Sequence, residues 1–177
     1  MDLISNIRSF LHLKPREIIV PGDIPATLAN CGGSVSQAEQ FPGVTDYFVR
    51  ELMRQFPAQL GEGKIGCAIG AASPESLVLA SHLAYLCGSR FAAVQIVEGV
   101  PKMGRHQLIP KEKVVLVIDE CKNFMMLNEA MAAISSQKVQ VAAVVCVVNS
   151  TGRTDFSFLE RVPILSLYHG TLPPSRH

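Results

Sequence analysis

Val114-Val115-Leu116-Val117-Ile118-Asp119-Glu120 is the stretch whose reading decides the fold. Its five consecutive aliphatic residues make a strand apolar on both faces, which suits the centre of a parallel sheet covered on both sides. The two carboxylates behind them then fall at the carboxyl edge of that sheet, where α/β proteins bind ligands. Outward from this strand, short apolar runs alternate with helix-period segments. Lys64 to Ile69 reads as a buried strand between the turn Gly61-Glu62-Gly63 and Gly70. Pro74 and Glu75 suit the first turn of a helix that carries Leu79, Leu83 and Leu86 on one face and stops at Gly88. Phe91 to Val97 is the next strand. On the other side, Phe124, Leu127, Met131 and Ile134 are spaced three, four and three apart and predict a helix, followed by strands at Val139 to Val148 and Ile164 to Leu167. The order β-α-β-β-α-β-x-β predicts an α/β fold with a mostly parallel central sheet flanked by helices.

Ahead of Gly61 the pattern is less regular. Ser5 to Leu13 suggests a first helix, Ile24 to Ala29 an edge strand, and Val44 to Phe56 a helix with the stripe Val44, Phe48, Leu52. No repeat or linker divides the chain, so residues 1–177 are expected to form one domain, with 1–60 as N-terminal helices and an edge or hood region and 61–168 as the core. A length of 177 residues with 48% hydrophobic and 18% charged residues excludes disorder and a fibrous array. Sixteen basic against 15 acidic residues give a net charge of +1, so neither nucleic acid nor a membrane is an expected partner, and any polyanion has to be held locally. Val139 to Val148 is about half the roughly 20 residues of a membrane-spanning helix, and nothing at Met1 reads as a targeting segment. A cytoplasmic location is expected. Cys31, Cys67, Cys87, Cys121 and Cys146 are odd in number and form no C-x-x-C pair, which predicts reduced core thiols.

The carboxyl-edge rule singles out Gly70 to Ser73, Asp119 to Asn123 and Asn149 to Arg153. Asp119 and Glu120 suit two vicinal hydroxyls of a ribose, or Mg²⁺ held through water, and equally suit a solvated strand end. Gly66-Cys67-Ala68-Ile69-Gly70-Ala71-Ala72-Ser73-Pro74 leads from a strand into a helix N-terminus, where small side chains let backbone N–H groups approach an anion; it is also what a tight packing turn looks like. Glu98 to Lys113, with Lys102, Arg105, His106, Lys111 and Lys113 among its glycines and prolines, reads as a flap or as a solvated loop. His82 lies within a helix and reads as structural. No histidine pair has metal-ligand spacing, so no metal site is expected from the protein's side chains alone. Cys121 follows two carboxylates, which oppose its ionisation and a nucleophilic role.

The succession Gly66 to Glu98, flap, Val114 to Ala130 and Val139 to Asn149 resembles the type I phosphoribosyltransferases, and most closely the orotate phosphoribosyltransferases. Gly66 to Pro74 is similar to that family's pyrophosphate-holding turn, G-x-A-T-G-G-I-P, and Leu77 to Phe91 to its next helix and strand. The resemblance covers about Gly61 to Tyr168. It implies a type I phosphoribosyltransferase-like domain in which Asp119 and Glu120 meet the ribose hydroxyls, Ala71, Ala72 and Ser73 the pyrophosphate, and Lys102, Arg105 and His106 of the flap the leaving group. Mg²⁺ is implied as the companion of phosphoribosyl pyrophosphate, and a homodimer as the assembly.

Three of the family's contacts are altered. Its two acids lead into T-T-G-G-[TS], a loop that wraps a 5′-phosphate, whereas here Cys121-Lys122-Asn123-Phe124-Met125-Met126 follow, leaving only Lys122 and Asn123 to face an anion. Its R-K pair before the flap is replaced by Val94-Gln95-Ile96-Val97. Its Asp-Arg after the last long strand is replaced by Asn149-Ser150, with Arg153 nearby. The expectation is an orotate phosphoribosyltransferase-like protein that no longer transfers phosphoribose efficiently and binds a nucleotide-like or phosphorylated small molecule or a protein partner. The alternative is a divergent enzyme making orotidine monophosphate for pyrimidine biosynthesis.

Overall fold

The computed structural model describes residues 42–71, 73–98, 100–104, 108–122, 124–157 and 161–169. In chain order these form helices α1 (Pro42–Gln55) and α2 (Pro57–Leu60), strand β1 (Cys67–Ala71), helix α3 (Pro74–Cys87), and strands β2 (Arg90–Val97), β3 (Val100–Met103) and β4 (Lys113–Cys121). Helix α4 (Met125–Ser135) and strands β5 (Gln140–Asn149), β6 (Asp155–Ser157) and β7 (Arg161–His169) follow. The helix and strand expected at Ser5 to Leu13 and Ile24 to Ala29 lie outside the described residues.

The seven strands run in the order β3-β2-β1-β4-β5-β7-β6. β2, β1, β4, β5 and β7 are mutually parallel, and the edge strands β3 and β6 are antiparallel to their neighbours. The aliphatic run is the centre of this sheet, and its alternation supplies both layers of the core. Val115 and Val117 join Val145 and Val147 under Phe48 and Leu52 of α1 and Leu79 and Leu83 of α3. Val114, Leu116 and Ile118 join Val144 and Cys146 under Leu127, Met131 and Ile134 of α4. The sheet therefore carries helices on both faces, as its double-sided apolar pattern requires.

Local signals set the helix ends. Ser73 caps α3, its Oγ accepting the Ser76 N–H at 3.1 Å, and Gly88 ends it at φ 64°, a left-handed position that glycine adopts without steric cost. β1 begins three residues later than the apolar run, because Gly66 is held in the approach by its N–H on the Lys113 carbonyl at 2.8 Å. β3 and β6 have no period-two pattern to reveal them. β3 contains Pro101, which a strand tolerates at a sheet edge, and it returns from β2 through a turn with Glu98 at φ 54°. The segment read as a flap is thus partly built into the sheet.

Helix α1 docks through a polar contact as well as an apolar one. Asp46 accepts from Arg50 Nε at 2.8 and 2.9 Å and lies 2.9 Å from His82 Nε2 on α3. Arg50, and then His82, hold the Asp46 carboxyl below its ordinary value of 3.8. Arg54 and Gln55 bring Glu51 down to about 2. Carboxylates depressed in the folded state stabilise it fully above their unfolded values, near 3.8 and 4.5, and lose that contribution as pH falls through the folded ones. The denaturant midpoint is therefore expected to drop between about pH 5 and about pH 2, and to drop less in Asp46→Asn, which lacks one of the two titrations.

Candidate functional site

The carboxyl ends of β1, β4 and β5 bring together the three segments singled out from the sequence. β1 reaches Ala71, which is fully buried, and the chain turns tightly, with the Ser73 N–H on the Ala71 carbonyl at 2.6 Å. A Cβ on Gly70 would stand 2.9 Å from Leu77 Cα and 3.0 Å from the Ser76 carbonyl. The smallness of this turn thus serves the docking of α3 on β1.

Asp119 lies on the α1 and α3 face of β4 and is tied to the start of α3. Its Oδ1 is 3.3 Å from Ser73 Oγ and 3.2 Å from Ser76 Oγ, the two hydroxyl oxygens are 2.6 Å apart, and the Asp119 N–H donates to Ser76 Oγ at 3.1 Å. A carboxylate is favoured there because the unsatisfied N–H groups of a helix N-terminus carry partial positive charge. Glu120, the next residue, has other partners. It accepts from Ser150 Oγ at 3.2 Å and pairs with Lys122 Nζ at 3.0 Å. The adjacent acids therefore each have partners of their own. Among the described residues no group of three or more His, Cys, Asp or Glu is placed to hold a metal ion.

The third segment is organised by Asn149, which is fully buried. Its side-chain amide donates to the Arg153 carbonyl at 2.7 Å, and its Oδ1 accepts from Thr151 N–H at 3.1 Å and Thr151 Oγ1 at 2.7 Å. The folded-back loop sets the exposed Arg153 over the Phe124 ring, 5.2 Å from its centroid, and Phe124 lies 5.3 Å from Phe156. Phe124 is half-buried and stands at the N-cap of α4 without a side-chain capping bond. Met125, opening the helix, is 69% exposed. Cys121 is buried between these segments, and burial, then Glu120, pushes its thiol up to about 11, so it stays protonated at neutral pH.

The structure thus joins Ser73 to Asp119, Glu120 to Lys122, and Arg153 to the start of α4. Lys102 is exposed on β3 opposite Gln95, three strands from β4, or about 14 Å at ordinary strand spacing. Ala72, Arg105, His106 and Asn123 lie outside the described residues. Sequence reading missed Ser76, Ser150, Asn149 as an organiser, and the buried Ser166, whose Oγ is 3.1 Å from His169 Nε2. Serine three residues after a capping serine, and Asn149-Ser150-Thr151 after a strand, carried the local signal for the first three.

No protein-family model and no curated protein matches the chain. Solved structures do. UMP synthase from Leishmania donovani aligns at TM-score 0.60 and 14% identity over 76% of this chain, which spans only 29% of that one. Orotate phosphoribosyltransferase from Aeropyrum pernix aligns at 0.58 and 17% over 78% of this chain and 76% of that one. An adenine phosphoribosyltransferase from Saccharomyces cerevisiae, solved with an imino-altritol bisphosphate and adenine, aligns at 0.58 and 15% over 72% and 81%. The chain has the type I phosphoribosyltransferase fold. Orotate and adenine enzymes match it equally well, so the comparisons do not single out the orotate branch.

Phe124, expected from its stripe to be a core residue of the helix, is a half-buried cap residue instead. Truncating a buried aromatic costs about 3–5 kcal/mol. Phe124 is only partly buried, packed against the α4-side core, so Phe124→Ala is expected to cost less, about 1–2 kcal/mol by denaturant unfolding, and Met125→Ala within about 0.5 kcal/mol.

Proposed function

We propose that this protein is a phosphoribosyltransferase-fold binding protein that takes a nucleotide-like ligand bearing a single phosphate and transfers phosphoribose poorly. The carrying observation is that Asp119 and Glu120 are each already committed to partners of their own, Asp119 to the start of α3 and Glu120 to Ser150 and Lys122. To take a ribose hydroxyl, either acid has to give up partners it already holds. A pyrophosphate at the start of α3 would meet the Asp119 carboxylate and repulsion between like charges. The start of α4 is different. Its N-cap residue, Phe124, supplies no capping hydrogen bond, and the Lys122 and Arg153 cations flank it in sequence and in space. A monophosphate drawn to these cations and to the positive end of the helix dipole suits that arrangement. The bisphosphate and adenine held by the yeast relative support the ligand class for the fold.

The test is calorimetric titration with uridine and adenosine monophosphates and with phosphoribosyl pyrophosphate, each with and without Mg²⁺, together with a turnover assay on orotate. Monophosphate binding that is independent of Mg²⁺ and lost in Arg153→Ala is expected, with turnover far below the roughly 1–10³ s⁻¹ of ordinary enzymes. Robust Mg²⁺-dependent formation of orotidine monophosphate, abolished by Asp119→Asn, would assign the chain instead to the working orotate enzymes.

The assembly we propose is a homodimer with an isologous interface, in keeping with the symmetry most soluble oligomers adopt. Light scattering at about tens of micromolar is expected to give twice the chain mass; a monomer mass would refute it.

A further inference from the structure

The opposite end of the sheet carries a feature that the ligand-binding reading does not use. Four neighbouring parallel strands, β2, β1, β4 and β5, are each entered through cations: Arg90, then Lys64, then Lys111 and Lys113, then Lys138. Arg90 is neutralised by Glu112, which also accepts the Ile109 N–H at 3.1 Å. Lys64, Lys111, Lys113 and Lys138 are all exposed, and among the described residues none forms a salt bridge. Among the described residues, the remaining carboxylate of this rim is Glu62. A chain of net charge +1 thus concentrates four unpaired ammonium groups along one edge.

Two of them occupy backbone positions that suit glycine. Ile109-Pro110-Lys111-Glu112 is a turn closed by the Glu112 N–H on the Ile109 carbonyl at 3.0 Å, with Pro110 second and Lys111 third at φ 67°. That is the arrangement in which glycine is preferred at the third position. Lys138 sits at φ 57° beyond α4, and the two strained residues meet, the Lys111 N–H donating to the Lys138 carbonyl at 2.8 Å. Helix C-termini attract cations, which accounts for Lys64 beside the end of α3 and Lys138 beside the end of α4. It leaves Lys111 and Lys113 without a structural reason.

We propose that this rim is an interaction surface for an acidic segment of a partner protein. Four strands at about 4.8 Å spacing span about 14 Å, which an extended peptide with acidic side chains at alternate residues, about 6.6 Å apart, covers with about three carboxylates. The large apolar side chain exposed among the lysines is Ile109, 57% exposed, an aliphatic contact rather than a ring on which nucleic-acid bases stack. An acidic peptide with interspersed aliphatic residues is therefore the matching chemistry. The surface lies at the far edge from the nucleotide-like site and stands or falls independently of it.

The experiment uses the full chain and a short fluorescein-labelled peptide of alternating glutamate and leucine, read by fluorescence anisotropy against ionic strength. Saturable binding that weakens with salt is expected, along with a loss of about tenfold or more in Lys111→Gly/Lys138→Gly. Glycine relieves the left-handed backbone at both positions, so the variant is expected to keep its thermal unfolding midpoint, which is measured alongside. Absence of binding at low salt, undiminished binding by the folded double variant, or tighter binding of an oligouridylate of matched charge would each overturn the proposal.

Discussion

Helix α3 rests on β1 so closely that no methyl group fits between them at Gly70, and the layout of the carboxyl edge depends on that contact. Glycine in a strand costs chain entropy, and what offsets it is the burial of Leu79 and Leu83 against Val115 and Val117 once the helix is seated. Seating also decides where the start of α3 lands. Ser73 and Ser76 come to the end of β4, and Asp119 finds both hydroxyls within hydrogen-bond reach. A wider separation at Gly70 would move those serines away from Asp119 and leave its carboxylate to solvent.

The same economy of partners runs along the whole edge. Asp119 is held by α3, Glu120 by Ser150 and Lys122, and Asn149 by its own loop, so the ends of β4 and β5 are stitched to the segments around them. Fully partnered polar groups at low exposure make a rigid edge. A ligand that engages them has to exchange hydrogen bonds rather than add to them. That constraint shifts the opportunity for binding toward the groups that remain exposed, Arg153 over Phe124 and the first turn of α4.

The fold was legible because its strongest signal is redundant. Val114 to Ile118 is apolar on both faces, and its neighbours Ile69 and Val144 to Val148 repeat the message, so the strand placements survive shifts of a residue or three at their ends. Pro74 and Gly88 mark α3 because each has a backbone preference independent of context. β3 and β6 were not legible: short edge strands bury one face or none, and Pro101 argues locally against a strand that only its edge position permits. The site was less legible for a related reason. Adjacency of Asp119 and Glu120 in sequence suggested a pair, but each acid has partners of its own, and the serines that claim Asp119 lie more than forty positions away. Phe124 continued a helical spacing, yet the helix begins just after it, which leaves its ring at the margin of the core.

β5 is flanked by β4 and β7 and contains no charged residue from Gln140 to Asn149. Before its neighbours arrive, such a segment has the composition from which intermolecular cross-β stacking nucleates: high β-propensity, no charge and no proline. Parallel pairing demands that distant parts of the chain meet first, so β5 waits longer than a hairpin strand would. The finished sheet is guarded, with a proline and a lysine on β3 and only three residues in β6. The hazard of intermolecular strand pairing is accordingly confined to the interval before the sheet closes, when β5 has no neighbours to cover it.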